Sequence, residues 1–146
     1  MRALTRATRA VPAPPRTRSR VVAVCYWATT VLVAAELGVG GIWDVLRIPY
    51  VRQLVTHLGY PTYFLVLLGC WKVLGAVALL VPRGALLKEW AYAGALFTYT
   101  GAIVSHLTTG YDLGEVGLLA VLTALTVLSW ALRPPSRRTQ HGFTAP

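Results

Sequence analysis

Apolar residues in this chain gather into four long runs, 21–43, 62–81, 89–109 and 113–132, and polar residues fall mostly between and beyond them. Each run holds about 20 residues, the length an α-helix needs to cross a bilayer core of ~30 Å. The pattern predicts an all-α, membrane-embedded four-helix bundle. The runs fill more than half of the chain, which leaves no room for a separate soluble domain. Residues 1–20 then form a basic, proline-bearing disordered tail, 21–132 the transmembrane domain and 133–146 a polar tail.

The stretches between the runs carry their own signals. In 44–61 the spacing of Val45, Leu46, Ile48, Val51, Leu54, Val55 and Leu58 predicts a short interfacial helix after Pro49, with Tyr50, Tyr60 and Tyr63 at headgroup depth. Gly59 and Pro61 break it from the second run, and Pro82-Arg83-Gly84 ends that run in a tight turn. The turn at Gly110-Tyr111-Asp112 is so short that the third and fourth helices must be antiparallel neighbours. Pro134-Pro135 stops the last helix, and the glycines at 38, 40 and 41 weaken the end of the first or admit another backbone there.

Three stripes of small residues mark expected helix contacts. They are Thr30, Ala34, Gly38 and Gly41 on the first helix, Gly94, Thr98, Gly101 and Ser105 on the third, and Gly117, Ala120 and Ala124 on the fourth. Tyr26, Trp27, Trp90, Tyr92 and Trp130 are expected in an aromatic belt at one interface, with Trp43 and the outer tyrosines at the other.

Composition agrees with a membrane setting: 55% of residues are hydrophobic and only 13% charged, where a soluble domain is about a quarter charged. The net charge of +9 would fit nucleic-acid binding, but its placement argues against that. Arg2, Arg6, Arg9, Arg16, Arg18 and Arg20 precede the first run, Arg83 and Lys88 lie between the second and third, and Arg133, Arg137 and Arg138 follow the last. Only Arg47 and Arg52 occupy the opposite side. The positive-inside rule therefore puts both termini in the cytoplasm. The first run is long and lacks a small-x-small cleavage site, so it reads as an uncleaved anchor. Cys25 and Cys70 fall at different depths, too far apart for a disulfide, and read as small apolar filler.

A lysine sits in the middle of the second run, in Trp71-Lys72-Val73. Leaving it unpaired at mid-membrane costs roughly 3 kcal/mol or more. Glu36 lies ~5 Å away in depth on the first helix, by rise per residue, and Lys72 shares a helical face with Gly69, Gly75 and Ala76, which turns it toward protein. A Glu36–Lys72 ion pair is expected, serving either to set helix register or to move protons or bind a polar ligand. His106 and Glu115 fall at similar outer depth, Tyr99 lies seven residues before His106 on the same face, and the three are expected to line an outward-facing polar pocket with Glu36. A histidine beside carboxylates can relay protons near neutral pH. One histidine without a second at ligand spacing is a poor metal site. Glu89 is expected at the start of the third helix, paired with Arg83 or Lys88. No catalytic residues are assigned, because no phosphate loop, nucleophile elbow or ligand cluster is present.

The middle of the chain resembles the DoxX-like family. The residues that carry the likeness are His57-Leu58-Gly59-Tyr60-Pro61 with Tyr63-Phe64, then Leu68-Gly69, Trp71-Lys72, Gly75 and Ala78-Leu79-Leu80 with Pro82. Lys88-Glu89-Trp90-Ala91-Tyr92-Ala93-Gly94, Gly101-Ala102 and Ser105-His106-Leu107 continue it, over roughly residues 25–130. The family pattern closes on a Gly-Asp pair, and here Tyr111 stands between Gly110 and Asp112.

The resemblance implies a multi-pass protein of the bacterial inner membrane. The wider DoxX superfamily takes its name from a membrane subunit associated with quinone-linked sulfur oxidation, and other relatives are tied to redox homeostasis. The reading that follows is a non-catalytic membrane subunit whose polar core (Glu36, Lys72, Tyr99, His106, Glu115) binds a small polar or quinone-like ligand. It would work beside a membrane or soluble redox partner protein. The alternative is a small proton-coupled transporter, acting as a homo-oligomer because four helices enclose little volume.

Overall fold

A computed structural model of the chain describes residues 16–82 and 84–137. The expected tails over 1–15 and 138–146, and Arg83, lie outside the described residues. Five α-helices follow one another: α1 (Arg16–Leu46), α2 (Pro49–His57), α3 (Tyr63–Leu80), α4 (Ala85–Thr109) and α5 (Leu113–Ala131), with a 3₁₀ turn at Pro135–Arg137. No strand occurs among the described residues. α1 is longer at both ends than the first apolar run. It begins at Arg16, inside the segment expected to be a disordered tail, and it continues through Gly38, Gly40 and Gly41 to Leu46. α2 begins at Pro49, whose ring suits the first position of a helix.

α1 packs along α3 and α5, and α4 along α3 and α5. Of these helices, α1 from Arg20, α3 and α5 are long and apolar enough to cross a membrane. α4 is long enough at 25 residues but, carrying Lys88, Glu89 and His106, is not among the helices apolar enough to cross. The chemistry of the surface is inverted relative to a water-soluble protein. Trp71, Trp90 and Phe97 are 67%, 67% and 72% exposed, whereas Thr30, Lys88, His106, Ser129 and Arg133 are buried. Where lipid surrounds a helix, polar groups must find partners inside the protein.

Those partners hold the elements together. Thr30 Oγ1 and Ser129 Oγ lie 2.6 Å apart, and Tyr92 Oη is 2.7 Å from the same Ser129, so one hydroxyl joins α1, α4 and α5. Lys88 is not in a loop, as its charge suggested. It lies buried in the first turn of α4, where its ammonium donates to the carbonyls of Ala78 (2.8 Å), Leu79 (3.1 Å) and Val81. These oxygens include those a helix end leaves without partners, and a cation there also suits the helix dipole. The Glu89 carboxylate accepts from Arg133 (2.7 Å) and Trp130 Nε1 (2.9 Å), which fastens α4 to α5; of its two expected partners, Lys88 is bound to the carbonyls instead and Arg83 lies outside the described residues. Arg137 reaches Tyr26 and the Leu79 carbonyl, both at 3.4 Å. The start of α1, the α3–α4 turn and the end of α5 therefore share one end of the molecule.

Of the three small-residue stripes, only the one on α1 marks a close contact. A β-carbon on Gly69 would lie 2.5 Å from the Gly41 carbonyl oxygen and 2.8 Å from Val45 N, so α1 and α3 touch backbone to backbone. Gly94, Gly101 and Gly117 face open space, with nothing within 4 Å of where a β-carbon would stand. α4 instead buries Tyr92, Ala95, Tyr99 and His106, and α5 buries Leu122, Thr126 and Ser129. Tyr26 and Tyr92 are likewise inside the protein and not in the aromatic belt. Large tyrosines whose hydroxyls find internal partners are better core material in lipid than in water, and that pairing is invisible in the linear pattern. Cys25 and Cys70 are exposed free thiols, not filler in the packing.

Gly69→Ala is expected to destabilise the purified protein by roughly 1–3 kcal/mol, because backbone must move apart. Gly94→Ala should change stability by less than about 0.5 kcal/mol. Thermal unfolding in detergent checks both, and equal effects at the two sites would refute the α1–α3 contact.

Candidate functional site

The packed core and an open cavity occupy opposite halves of the molecule. Val33, Leu37, Ala76, Leu79, Tyr92 and Ala95 fill the half near the α3–α4 turn. α3 and α4 are pinned together there by Lys88. Away from that turn a cavity of about 680 Å³ opens between α1, α3 and α4, covered by α2 and flanked by the start of α5. Its walls are mostly apolar and aromatic, including Trp43, Phe64, Leu68 and Phe97.

The polar floor of the cavity lies where the halves meet. Lys72 Nζ is 3.1 Å from Glu36 Oε1, so the expected ion pair is formed. The other Glu36 oxygen accepts a hydrogen bond from the Tyr99 hydroxyl. A third charged group, expected in a loop from the sequence, completes the cluster: Asp44 Oδ2 is 3.4 Å from Lys72 Nζ. Asp44 is buried, and its Oδ2 accepts no hydrogen bond among the described residues. Gly40 makes the arrangement sterically feasible. A β-carbon there would lie 2.6 Å from Lys72 Nζ and 3.0 Å from Glu36 Oε1.

The five residues singled out from sequence, Glu36, Lys72, Tyr99, His106 and Glu115, all line this cavity. They do not form one contact network. His106 is buried and its Nδ1 donates to the Tyr111 carbonyl at 2.7 Å, which in the neutral ring leaves Nε2 as the acceptor. Tyr111 stacks on His57 at 4.0 Å between ring centres, tying α2 to the α4–α5 turn. The tyrosine that separates Gly110 from Asp112 thus fills a structural place, while Asp112 takes a left-handed backbone conformation (φ 48°) and caps α5 by accepting from Glu115 N. Glu115 accepts from the Tyr50 hydroxyl on α2. That hydrogen bond to the carboxylate, with burial and the nearby negative charge, pushes the Tyr50 phenol up to about 12. Tyr60 Oη and Ser105 Oγ, 2.8 Å apart, make a second link across the outer end of the cavity.

Sequence reasoning missed Asp44, Gly40 and Tyr50. Asp44 follows Glu36 by eight residues, a little over two helical turns, so the signal existed. It becomes visible only if the helix is carried through Gly40-Gly41. No group of three or more metal-ligating side chains occurs among the described residues.

The DoxX-like family model matches residues 28–129, a span that holds every cavity residue named above. No curated protein and no solved structure matches the chain.

The cluster sets an asymmetry between its members. Lys72→Met leaves the buried Asp44 and half-buried Glu36 carboxylates without their shared cation, whereas Glu36→Gln leaves the ammonium paired with Asp44. Lys72→Met is therefore expected to destabilise more, and the double mutant should recover about 1–3 kcal/mol relative to additivity. Unfolding in detergent measures the cycle, and additive effects would contradict the pairing.

Proposed function

The chain belongs to the DoxX-like family of membrane proteins, and on that premise we propose that it is a non-catalytic membrane protein whose cavity binds a small amphipathic ligand, with a quinone-like head group as the leading candidate. The observation that carries the reading is the Glu36–Lys72–Asp44–Tyr99 cluster, with Asp44 and Tyr99 buried and Glu36 and Lys72 half-buried, at the floor of an otherwise apolar cavity. Ionisable groups at membrane depth are costly and are kept where they do work, and an apolar pocket with a few convergent polar groups is the usual form of a ligand site. Lys72 offers donors for a carbonyl oxygen, and the aromatic walls suit a flat ring.

In this reading α1, α3, α4 and α5 form a four-helix bundle across the bacterial inner membrane. The basic residues near the α3–α4 turn, Lys88, Arg133 and Arg137, favour a cytoplasmic location for that end and for both termini. The cavity then lies in the outer half of the bilayer, and the protein serves a redox or stress-response partner. Titration of the purified protein with ubiquinone-1, followed by tryptophan fluorescence, should saturate in the micromolar range. Lys72→Met should weaken binding by about tenfold, the equivalent of one lost hydrogen bond to a charged group. No saturable binding by the folded wild type would refute the quinone reading.

A second reading, a proton-coupled carrier working as a homo-oligomer, is favoured by one observation. Glu36 and Asp44 share a single ammonium, so a proton can occupy one carboxyl while the other keeps Lys72 paired. In proteoliposomes under an imposed potential, this reading expects proton uptake by the wild type and none by Glu36→Gln. Uptake no greater than that of empty vesicles removes it.

A further inference from the structure

The sequence carries 14 basic and 5 acidic residues, yet the cavity reverses that balance. Three of the five acids, Glu36, Asp44 and Glu115, stand on its wall, against Lys72 as the one cation among its lining residues. With His106 neutral the lining has a formal charge of −2. Lys72 offsets Glu36, to which it donates at 3.1 Å. Asp44 is left with the ammonium at 3.4 Å and no hydrogen bond to its buried Oδ2. A buried carboxylate oxygen that is ion-paired but accepts no hydrogen bond keeps room for a further donor, and Asp44, only 5% exposed, lines the cavity.

The remaining walls add a second preference. Trp43, Tyr50, Phe64 and Phe97 present aromatic rings to the cavity, and a cation over such a face is attracted by the ring's negative charge density, more so where water is excluded. An excess of carboxylates with an unfilled acceptor, surrounded by aromatic surface, describes a receptor for a positively charged donor carried on an apolar body.

We infer that the cavity selects amphipathic organic cations, specifically protonated amines, whose ammonium donates to Asp44 while the hydrocarbon part lies against the aromatic walls. The inference rests on the proposal that the cavity is a ligand site, and it changes the head group from a neutral ring to a cation.

Calorimetric titration of the full-length protein in a non-ionic detergent with 4-phenylbutylamine and its uncharged counterpart 4-phenylbutanol, at pH 7.5, tests it. Wild type should bind the amine at least about tenfold more tightly than the alcohol. Asp44→Asn should weaken amine binding by a similar factor and leave the alcohol unchanged. Glu115→Gln, farther from Lys72, should reduce amine affinity by a smaller factor, and it provides the mutational arm if Asp44→Asn does not fold. Equal or weaker binding of the amine by wild type overturns the inference, as does a folded Asp44→Asn that keeps full amine affinity. Binding of ubiquinone-1 without the amine sinks this inference alone. Absence of binding by all three compounds sinks the ligand-site reading with it.

Discussion

Every polar group that enters the interior of this protein must be answered from within, because the outward surface of its helices is apolar. Lys72 imposes that requirement most strongly. An ammonium in the middle of α3 can be kept only where α1 brings carboxylates to it, and α1 brings Glu36 and Asp44 from positions eight residues apart. Gly40 leaves the space the ammonium occupies, and Gly41 meets Gly69 so that the two backbones approach closely enough for the pair to form. The ion cluster and the Gly41–Gly69 backbone contact lie together along the α1–α3 seam.

The two lysines show the two solutions open to a buried ammonium. Lys88 is satisfied by carbonyl oxygens at the end of α3, a neutral and fixed arrangement that uses all three of its donors. Lys72 is satisfied by side-chain carboxylates, which outnumber it. The first closes the turn between α3 and α4. The second leaves a residual negative charge beside a cavity, and that charge gives the site its chemical character.

The division of the molecule into a packed half and an open half has the same origin. Lys88 and the Glu89–Arg133 pair draw α3, α4 and α5 together at one end, over a core of aliphatic side chains and tyrosines. At the other end α3 and α4 are held by no such clamp among the described residues. α2 covers the gap instead, attached through Tyr50 to Glu115, Tyr60 to Ser105 and His57 to Tyr111. The two hydroxyl links are exposed, unlike the buried contacts of Lys88 at the other end, and α2 lies over the cavity as a cover.

Much of this was legible in the linear pattern. Runs of apolar residues set the helices to within a few residues, Pro49 marked the start of α2, and the isolation of Lys72 in an apolar run demanded a partner, which the matching depth of Glu36 supplied. The family resemblance agreed with the match over residues 28–129. Hydropathy could not decide which face of α4 and α5 turns inward, because in lipid both small and large residues can face either way. Tyr92 and Tyr99 are inside because polar groups on other helices meet their hydroxyls, and Gly94 and Gly117 are outside because nothing packs on them. Nor could it show that α1 runs through its glycines to Asp44, since glycine lowers helix propensity locally and only packing against α3 compensates. Periodicity and composition determined the elements and the need for a buried pair; the tertiary structure alone decided that the pair is a cluster with one carboxylate to spare, because partners separated by dozens of residues are set by the path of the chain and not by its local pattern.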